Sequence, residues 1–97
     1  MDGTVGRVDA AAEVASWDGV TVAGGIVSLH GRELGRIDAG RAEVRLPPRI
    51  AAMLVETGRA RGADPTHVWV DDPDEAVELF RLAYERAQVA LRVRPTG

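Results

Sequence analysis

Alternating apolar and polar side chains mark the first half of the chain as a series of short strands. Between Val20 and Arg45, β-branched residues are interrupted by glycines and small residues, a pattern typical of strands joined by tight turns. The pattern predicts strands at Val20–Ala23, Ile26–Leu29, Glu33–Asp38 and Arg41–Leu46. The predicted turns between them are Gly24-Gly25, His30-Gly31-Arg32 and Ala39-Gly40.

The fourth predicted strand shows which face of the sheet is buried. Every second residue in it is apolar: Ala42, Val44 and Leu46. The residues between them are charged: Arg41, Glu43 and Arg45. Because side chains alternate along a strand, one face is expected to be covered and the other to be exposed and charged. An antiparallel sheet with one covered face follows.

Elsewhere the apolar residues recur every three or four positions, which predicts helices. Asp9 to Trp17 is expected to form a short helix with Asp9 as its N-cap, and Pro48 opens a second over Arg49–Thr57. A third begins at Asp72-Pro73-Asp74-Glu75, which has the form of a capping box. Its apolar face consists of Ala76, Leu79, Phe80, Ala83, Ala87 and Leu91.

The remaining segments complete the order of elements. Arg59 to Pro65 is predicted to be a polar loop, and Thr66–Val70 a final strand. The order α-β-β-β-β-α-β-α predicts an α+β fold, a two-layer sandwich with an antiparallel sheet of 4–5 strands and the helices on one face. Residues 1–97 are expected to form a single domain, with frayed ends at 1–8 and 93–97.

Composition narrows the class of protein. The chain is 45% hydrophobic and 28% charged, it contains no cysteine, and no apolar run approaches the ~20 residues that span a bilayer. A cytoplasmic protein without a disulfide framework or membrane segment is therefore expected. All 12 basic residues are arginine, and residues 32–61 hold seven of them against four acidic residues. This is the one basic stretch in a chain of net charge −3.

Two groups of side chains are candidates for binding. Arg32, Arg36, Arg41 and Arg45 recur along the predicted meander, while His67 and Trp69 share one face of the final strand. The arginines could pair with interleaved acidic residues, hold an anionic ligand, or contact nucleic acid. Trp69 could belong to the core or form a stacking surface. No metal-ligand spacing such as HxH or HExxH occurs, so no metal or cofactor is expected.

Short motifs give the chain a family resemblance over residues 14–88. They are GGIVSLHGRELG (Gly24–Gly35), LPP (Leu46–Pro48), GRA (Gly58–Ala60), HVWV (His67–Val70) and LAYERA (Leu82–Ala87). With these motifs the chain resembles the luciferase-domain family, whose label implies an oxidoreductase-like activity on a small molecule. Family members follow the glycine-led signature with a Gly-His-x-His pattern, where this chain reads Gly35-Arg36-Ile37-Asp38. The resemblance therefore implies that any chemistry of those histidines is lost here.

The end of the chain carries a second resemblance. A tryptophan-containing strand, an acidic turn and a helix that passes near Tyr84 are similar to the MmcQ/YjbR-like family. That family has a double-wing architecture suspected of binding nucleic acid, which the resemblance would extend to this chain.

The sequence favours a non-catalytic binding module that docks on a protein partner or forms a homodimer through the exposed sheet face. A small-molecule enzyme is the alternative that the luciferase-domain label implies, and a small-molecule ligand stays open. Nucleic-acid binding is the second alternative, but a net charge of −3 argues against it, because such domains usually carry a basic excess. A deep pocket would favour the enzyme, and a flat patch the protein partner.

Overall fold

A computed structural model describes residues 9–38 and 41–92 as three helices and one six-stranded sheet. The helices are α1 (Ala10–Ala15), α2 (Pro48–Glu56) and α3 (Pro73–Arg92). The strands are β1 (Val20–Ala23), β2 (Ile26–Leu29), β3 (Arg32–Asp38), β4 (Arg41–Arg45), β5 (Arg61–Asp64) and β6 (His67–Val70). The predicted frayed ends, the turn at Ala39-Gly40 and the side chain of Leu91 lie outside what is described.

The predicted fold class is confirmed. All neighbouring strands are antiparallel, and their order across the sheet is β1-β2-β3-β4-β6-β5. The helices contribute to one continuous core with the sheet: α3 contacts β3, β4 and β6, α1 contacts α3 and β1, and α2 contacts β5 and β6. The molecule is therefore a two-layer α+β sandwich, and among the described residues no helix covers the second face of the sheet.

The sheet has one strand more than expected. The segment predicted as a polar loop contains β5, which pairs with β6 through Arg61 opposite Trp69 and Gly62 opposite Val68. All four residues of β5 are exposed and none is β-branched, so neither burial nor strand propensity marked it. It forms through backbone pairing to an existing edge.

The two edges of the sheet differ in chemistry. At one end β1 consists of uncharged residues, Val20 to Ala23, and the register with β2 is regular. At the other end β5 carries Arg61 and Asp64, and its register with β6 is interrupted between Gly62 and Asp64. Charges and bulges are the features that natural proteins use to prevent an edge from pairing with another chain.

The hairpin between β2 and β3 turns more tightly than expected. The predicted turn has three residues, but Arg32 already belongs to β3 and the turn consists of His30 and Gly31 alone. Both have positive φ, 50° and 83°, which suits the right-handed twist of a two-residue hairpin. The turn at Gly24-Gly25 is confirmed and has the same form.

The predicted caps are confirmed at the starts of α1 and α3. The Ala12 N–H donates to Asp9 Oδ1 at 3.2 Å, and the Asp74 N–H donates to Asp72 Oδ1 at 2.9 Å. Glu75 does not complete the predicted capping box, because its carboxylate binds the Arg59 guanidinium at 2.7 Å. Glu78 binds the same guanidinium at 3.1 Å, so the segment after α2 is tied to the first turns of α3.

Gly35 provides the contact that holds α3 on the sheet. The register of β2 and β3 shifts at this point, with Leu34 unpaired between Glu33 and Gly35. Gly35 lies in the buried row beside Val27 and Val44, and the ring of Phe80 packs over it without any solvent exposure. A Cβ at this position would lie 2.9 Å from Phe80 Cε1 and would also collide with the Glu43 carbonyl. Because Gly35 has no side chain, the Phe80 ring can occupy this space.

Replacing Gly35 with alanine should therefore destabilise the fold. We expect Gly35→Ala to lower the free energy of unfolding by about 1–3 kcal/mol, the usual cost of overpacking a core, as measured by chemical denaturation. Gly62→Ala is the matched control, since Gly62 is exposed on β5 in register with Val68, and its Cβ would meet only a Val55 methyl at 3.4 Å. Equal losses in the two variants would contradict this role for Gly35.

Candidate functional site

The open face of the sheet, the one without helices, has a continuous row of side chains across five strands. In the strand register Ile26, Arg36, Glu43, Trp69 and Arg61 are successive neighbours on β2, β3, β4, β6 and β5. Their chain neighbours Val27, Val44, Val68 and Val70 are buried under the helices. Because side chains alternate along a strand, the row points away from the core.

Trp69 is the centre of this surface. It is half-buried and does not belong to the core, so the prediction of a stacking surface stays open. The Arg41 guanidinium lies over its ring at 4.0 Å from the centroid, and that of Arg61 lies at 5.2 Å. Both distances are within the range of cation–π attraction, which is strongest for tryptophan. Arg41 and Arg61, from β4 and β5 on either side of β6, thus both contact the indole ring.

A shallow cavity of about 320 Å³ borders Trp69. Its lining residues are Arg36, Asp38, Arg41, Glu43, Ala63 and Trp69. Three of the six side chains that the sequence indicated, Arg36, Arg41 and Trp69, therefore meet in one place.

Arg36 and Arg41 lie opposite acidic residues in register but form no salt bridge within the described residues. Arg36 lies opposite Glu43 and Asp38 opposite Arg41, as expected for cross-strand pairs of opposite charge. Within residues 9–38 and 41–89, however, the arginine salt bridges involve Arg59 and Arg81, not the arginines of this face. The guanidinium groups around Trp69 therefore keep donors available for an incoming acceptor.

His67 is engaged with the turn between β5 and β6 and does not line the cavity at Trp69. Its Nδ1 lies 2.9 Å from Asp64 Oδ1 and 3.1 Å from Thr66 Oγ1. Asp64 Oδ1 also accepts the Thr66 N–H at 2.9 Å. The hydrogen bond from His67, followed by that from the Thr66 backbone, lowers the pKa of the Asp64 carboxyl.

The other two indicated arginines belong to a different place. Arg32 and Arg45 lie at the end of the sheet where β3 begins and β4 ends, and they line a second cavity together with Arg86 of α3. Arg86 and Arg61 were not among the side chains that the sequence indicated. Arg61 is in the segment that was predicted to be a loop, and the position of Arg86 depends on how α3 crosses the sheet, for which no local pattern gives a signal.

Two further features of the described residues bear on the site. The described residues contain no group of three or more histidine, aspartate and glutamate side chains placed to hold a metal ion. None of the helices within these ranges is long and apolar enough to cross a membrane.

Comparison with known proteins adds no family to this description: no protein-family model, no curated protein and no solved structure matches the chain.

The lowered pKa of Asp64 gives a test of the turn. Since this pKa is lower in the folded chain than in the unfolded one, ionised Asp64 stabilises the fold above its ordinary pKa. That stabilisation is lost as the pH falls through the lowered value. We expect His67→Ala to raise the titration midpoint of the Asp64 carboxyl, measured by NMR, and to raise it more than Thr66→Val, which leaves the Thr66 N–H in place. An unchanged midpoint in His67→Ala would show that the histidine does not act on Asp64.

Proposed function

We propose that this chain is a non-catalytic interaction module and that its open sheet face binds a second copy of the same chain. The observation that carries the proposal is the Trp69 ring, which two arginines hold at 4.0 and 5.2 Å in the middle of an exposed face. Tryptophan and arginine are the residues most enriched among those that dominate the energy of protein interfaces.

The arginines around Trp69 are suited to binding rather than to catalysis. A guanidinium group stays protonated at all ordinary pH values, so it donates hydrogen bonds but does not act as a base or nucleophile. Arg36, Arg41 and Arg61 therefore supply fixed positive charge and donors on β3, β4 and β5, and the strand of Trp69, β6, lies between β4 and β5. Such an arrangement recognises carboxylates and aromatic faces of a partner protein.

The balance of charges favours a second copy over a partner of one sign. By register and alternation the open face carries four arginines and four acidic residues: Arg36, Arg41, Arg45, Arg61, Glu33, Asp38, Glu43 and Asp64. A two-fold interface brings the same patch of each subunit together, so it must be complementary to itself. A face with equal numbers of both charges meets that condition, whereas a uniformly basic face would repel its copy.

The size of the face indicates a weak dimer. Six strands about 4.8 Å apart span about 24 Å, and strands of four to seven residues are about 13–23 Å long. The resulting flat area of about 300–550 Å² is smaller than the ~800 Å² that each partner buries in a standard stable interface. We therefore expect dimers that form reversibly and depend on protein concentration.

Trp69 should dominate the self-association. We expect sedimentation velocity over a range of concentrations to show a monomer–dimer equilibrium, and Trp69→Ala to weaken it at least about 10-fold, as for an interface hot spot. Met53→Ala is the matched control, because Met53 is an exposed apolar residue on α2 in the helix layer. A monomer at all concentrations, or equal dimerisation of Trp69→Ala and the parent chain, would refute the proposal.

Charge reversal separates a self-complementary face from other modes of association. The double variant Arg36→Glu and Arg41→Glu makes the face acidic, and the double variant Asp38→Arg and Glu43→Arg makes it basic. Like charges repel and opposite charges attract across an interface, so each variant alone should be monomeric while an equimolar mixture should form heterodimers. Native mass spectrometry distinguishes the species by mass, and homodimers of either variant would contradict the face-to-face arrangement.

A further inference from the structure

A groove at the end of the sheet concentrates positive charge away from Trp69. We name it the arginine groove: it has a volume of about 320 Å³, and its positively charged lining residues are Arg32, Arg45 and Arg86. These residues come from the start of β3, the end of β4 and the second half of α3. None of the residues that line it also lines the cavity at Trp69.

The charge in the groove is opposite in sign to that of the whole chain. Three arginines and one acidic residue, Glu33, line it, whereas the chain has a net charge of −3. In the part of the chain that the structure describes, Arg32, Arg45 and Arg86 form no salt bridge, and all three are exposed. Their guanidinium forks are therefore free to bind an oxyanion, for which the planar, multiply donating group is well suited.

The floor of the groove is apolar. Leu34, Leu46 and Ala83 belong to the buried core and also line the groove, and Pro47 at the start of α2 forms part of the wall. A bare inorganic anion would leave this surface without a partner. A ligand that places its charge at the arginines and its apolar part on the floor would satisfy both, which is the usual arrangement of a small-molecule site.

We propose that the arginine groove binds a small amphiphilic organic anion, an oxyanion headgroup on a compact apolar body. A carboxylate and a phosphate ester share this chemistry, since guanidinium groups bind both headgroups in a bidentate manner. This site goes beyond the proposed self-association, because it is a different cavity from the one at Trp69 and takes a ligand of another class; Glu33 and Arg45 are the charged residues that it shares with the open face.

Binding to the whole chain by simple probes tests the proposal. We expect octanoate and octyl phosphate, kept below the concentrations at which they form micelles, to shift the NMR signals of the amides around Leu34, Leu46 and Ala83. Octan-1-ol has the same apolar body without the charge, and inorganic phosphate has the charge without the body, so both should bind at least about 10-fold more weakly. The tighter of the two amphiphiles identifies the preferred headgroup. Equal binding of octan-1-ol, equal binding of inorganic phosphate, or no shifts at all would overturn the proposal.

Substitution of the groove arginines assigns the binding to this place. Arg86→Gln and Arg45→Gln each remove a charged hydrogen-bond donor, which should weaken octanoate binding about 10-fold. Arg81→Gln is the matched control on the same helix, because Arg81 lies over Trp17 and pairs with Glu85 outside the groove. Its affinity should stay within about twofold of the parent chain, and equal losses in Arg81→Gln and Arg86→Gln would overturn the assignment.

The same probe separates this proposal from the proposed self-association. Trp69 does not line the groove, so the Trp69→Ala chain should bind octanoate as the parent chain does even where its dimers are lost. Thermal unfolding of Arg45→Gln and Arg86→Gln should match that of the parent chain, since both side chains are exposed and unpaired within the described residues. Loss of binding with an unchanged unfolding temperature then reports the site rather than the fold.

Discussion

The packing of Phe80 over Gly35 is the contact on which the two-layer arrangement depends. A helix of 20 residues crosses β3, β4 and β6, and its largest buried side chain enters the sheet where β3 has no side chain of its own. The partners of Gly35 on the neighbouring strands, Val27 and Val44, are buried in the same core as Phe80. Because side chains alternate along a strand, the residues between the buried ones point to the opposite face of the sheet. The same alternation that forms the core therefore also places Trp69 on the open face.

Strong local signals explain why most of the fold could be predicted. Several elements are determined by residues that act on adjacent backbone groups, so a short stretch of sequence is enough to predict them. They are the N-caps Asp9 and Asp72, the turn at Gly24-Gly25 and the proline at the start of α2. β5 was missed because its cause lies elsewhere: an exposed segment becomes a strand only because the edge of β6 is there to pair with it. Likewise Glu75 has the spacing of a capping box, but a distant arginine, Arg59, binds its carboxylate.

Of the candidate site, the sequence could predict only which side chains of one strand share a face. The alternation of side chains correctly places Arg41 and Arg45 on one face of β4. The two residues line different cavities because they lie at opposite ends of that strand. Which side chains join them depends on strand order and helix direction. Arg61 reaches Trp69 through a pairing between β5 and β6, and Arg86 reaches Arg45 because α3 passes over the end of the sheet. Neither relation has a trace in the spacing of residues along the chain.

The unequal edges of the sheet limit how copies of this chain could join into a continuous sheet. Among the residues that the structure describes, the uncharged strand Val20 to Ala23 pairs with β2 alone and in regular register. The opposite edge carries charges and a break in register, which discourage pairing with another strand. If two chains paired through β1, each would use its uncharged, regular edge. Both edges of the enlarged sheet would then be β5, with its charges and its break in register. Growth would end at two chains. In that arrangement the asymmetry of the edges would prevent the open-ended polymerisation that two uncharged, regular edges would allow.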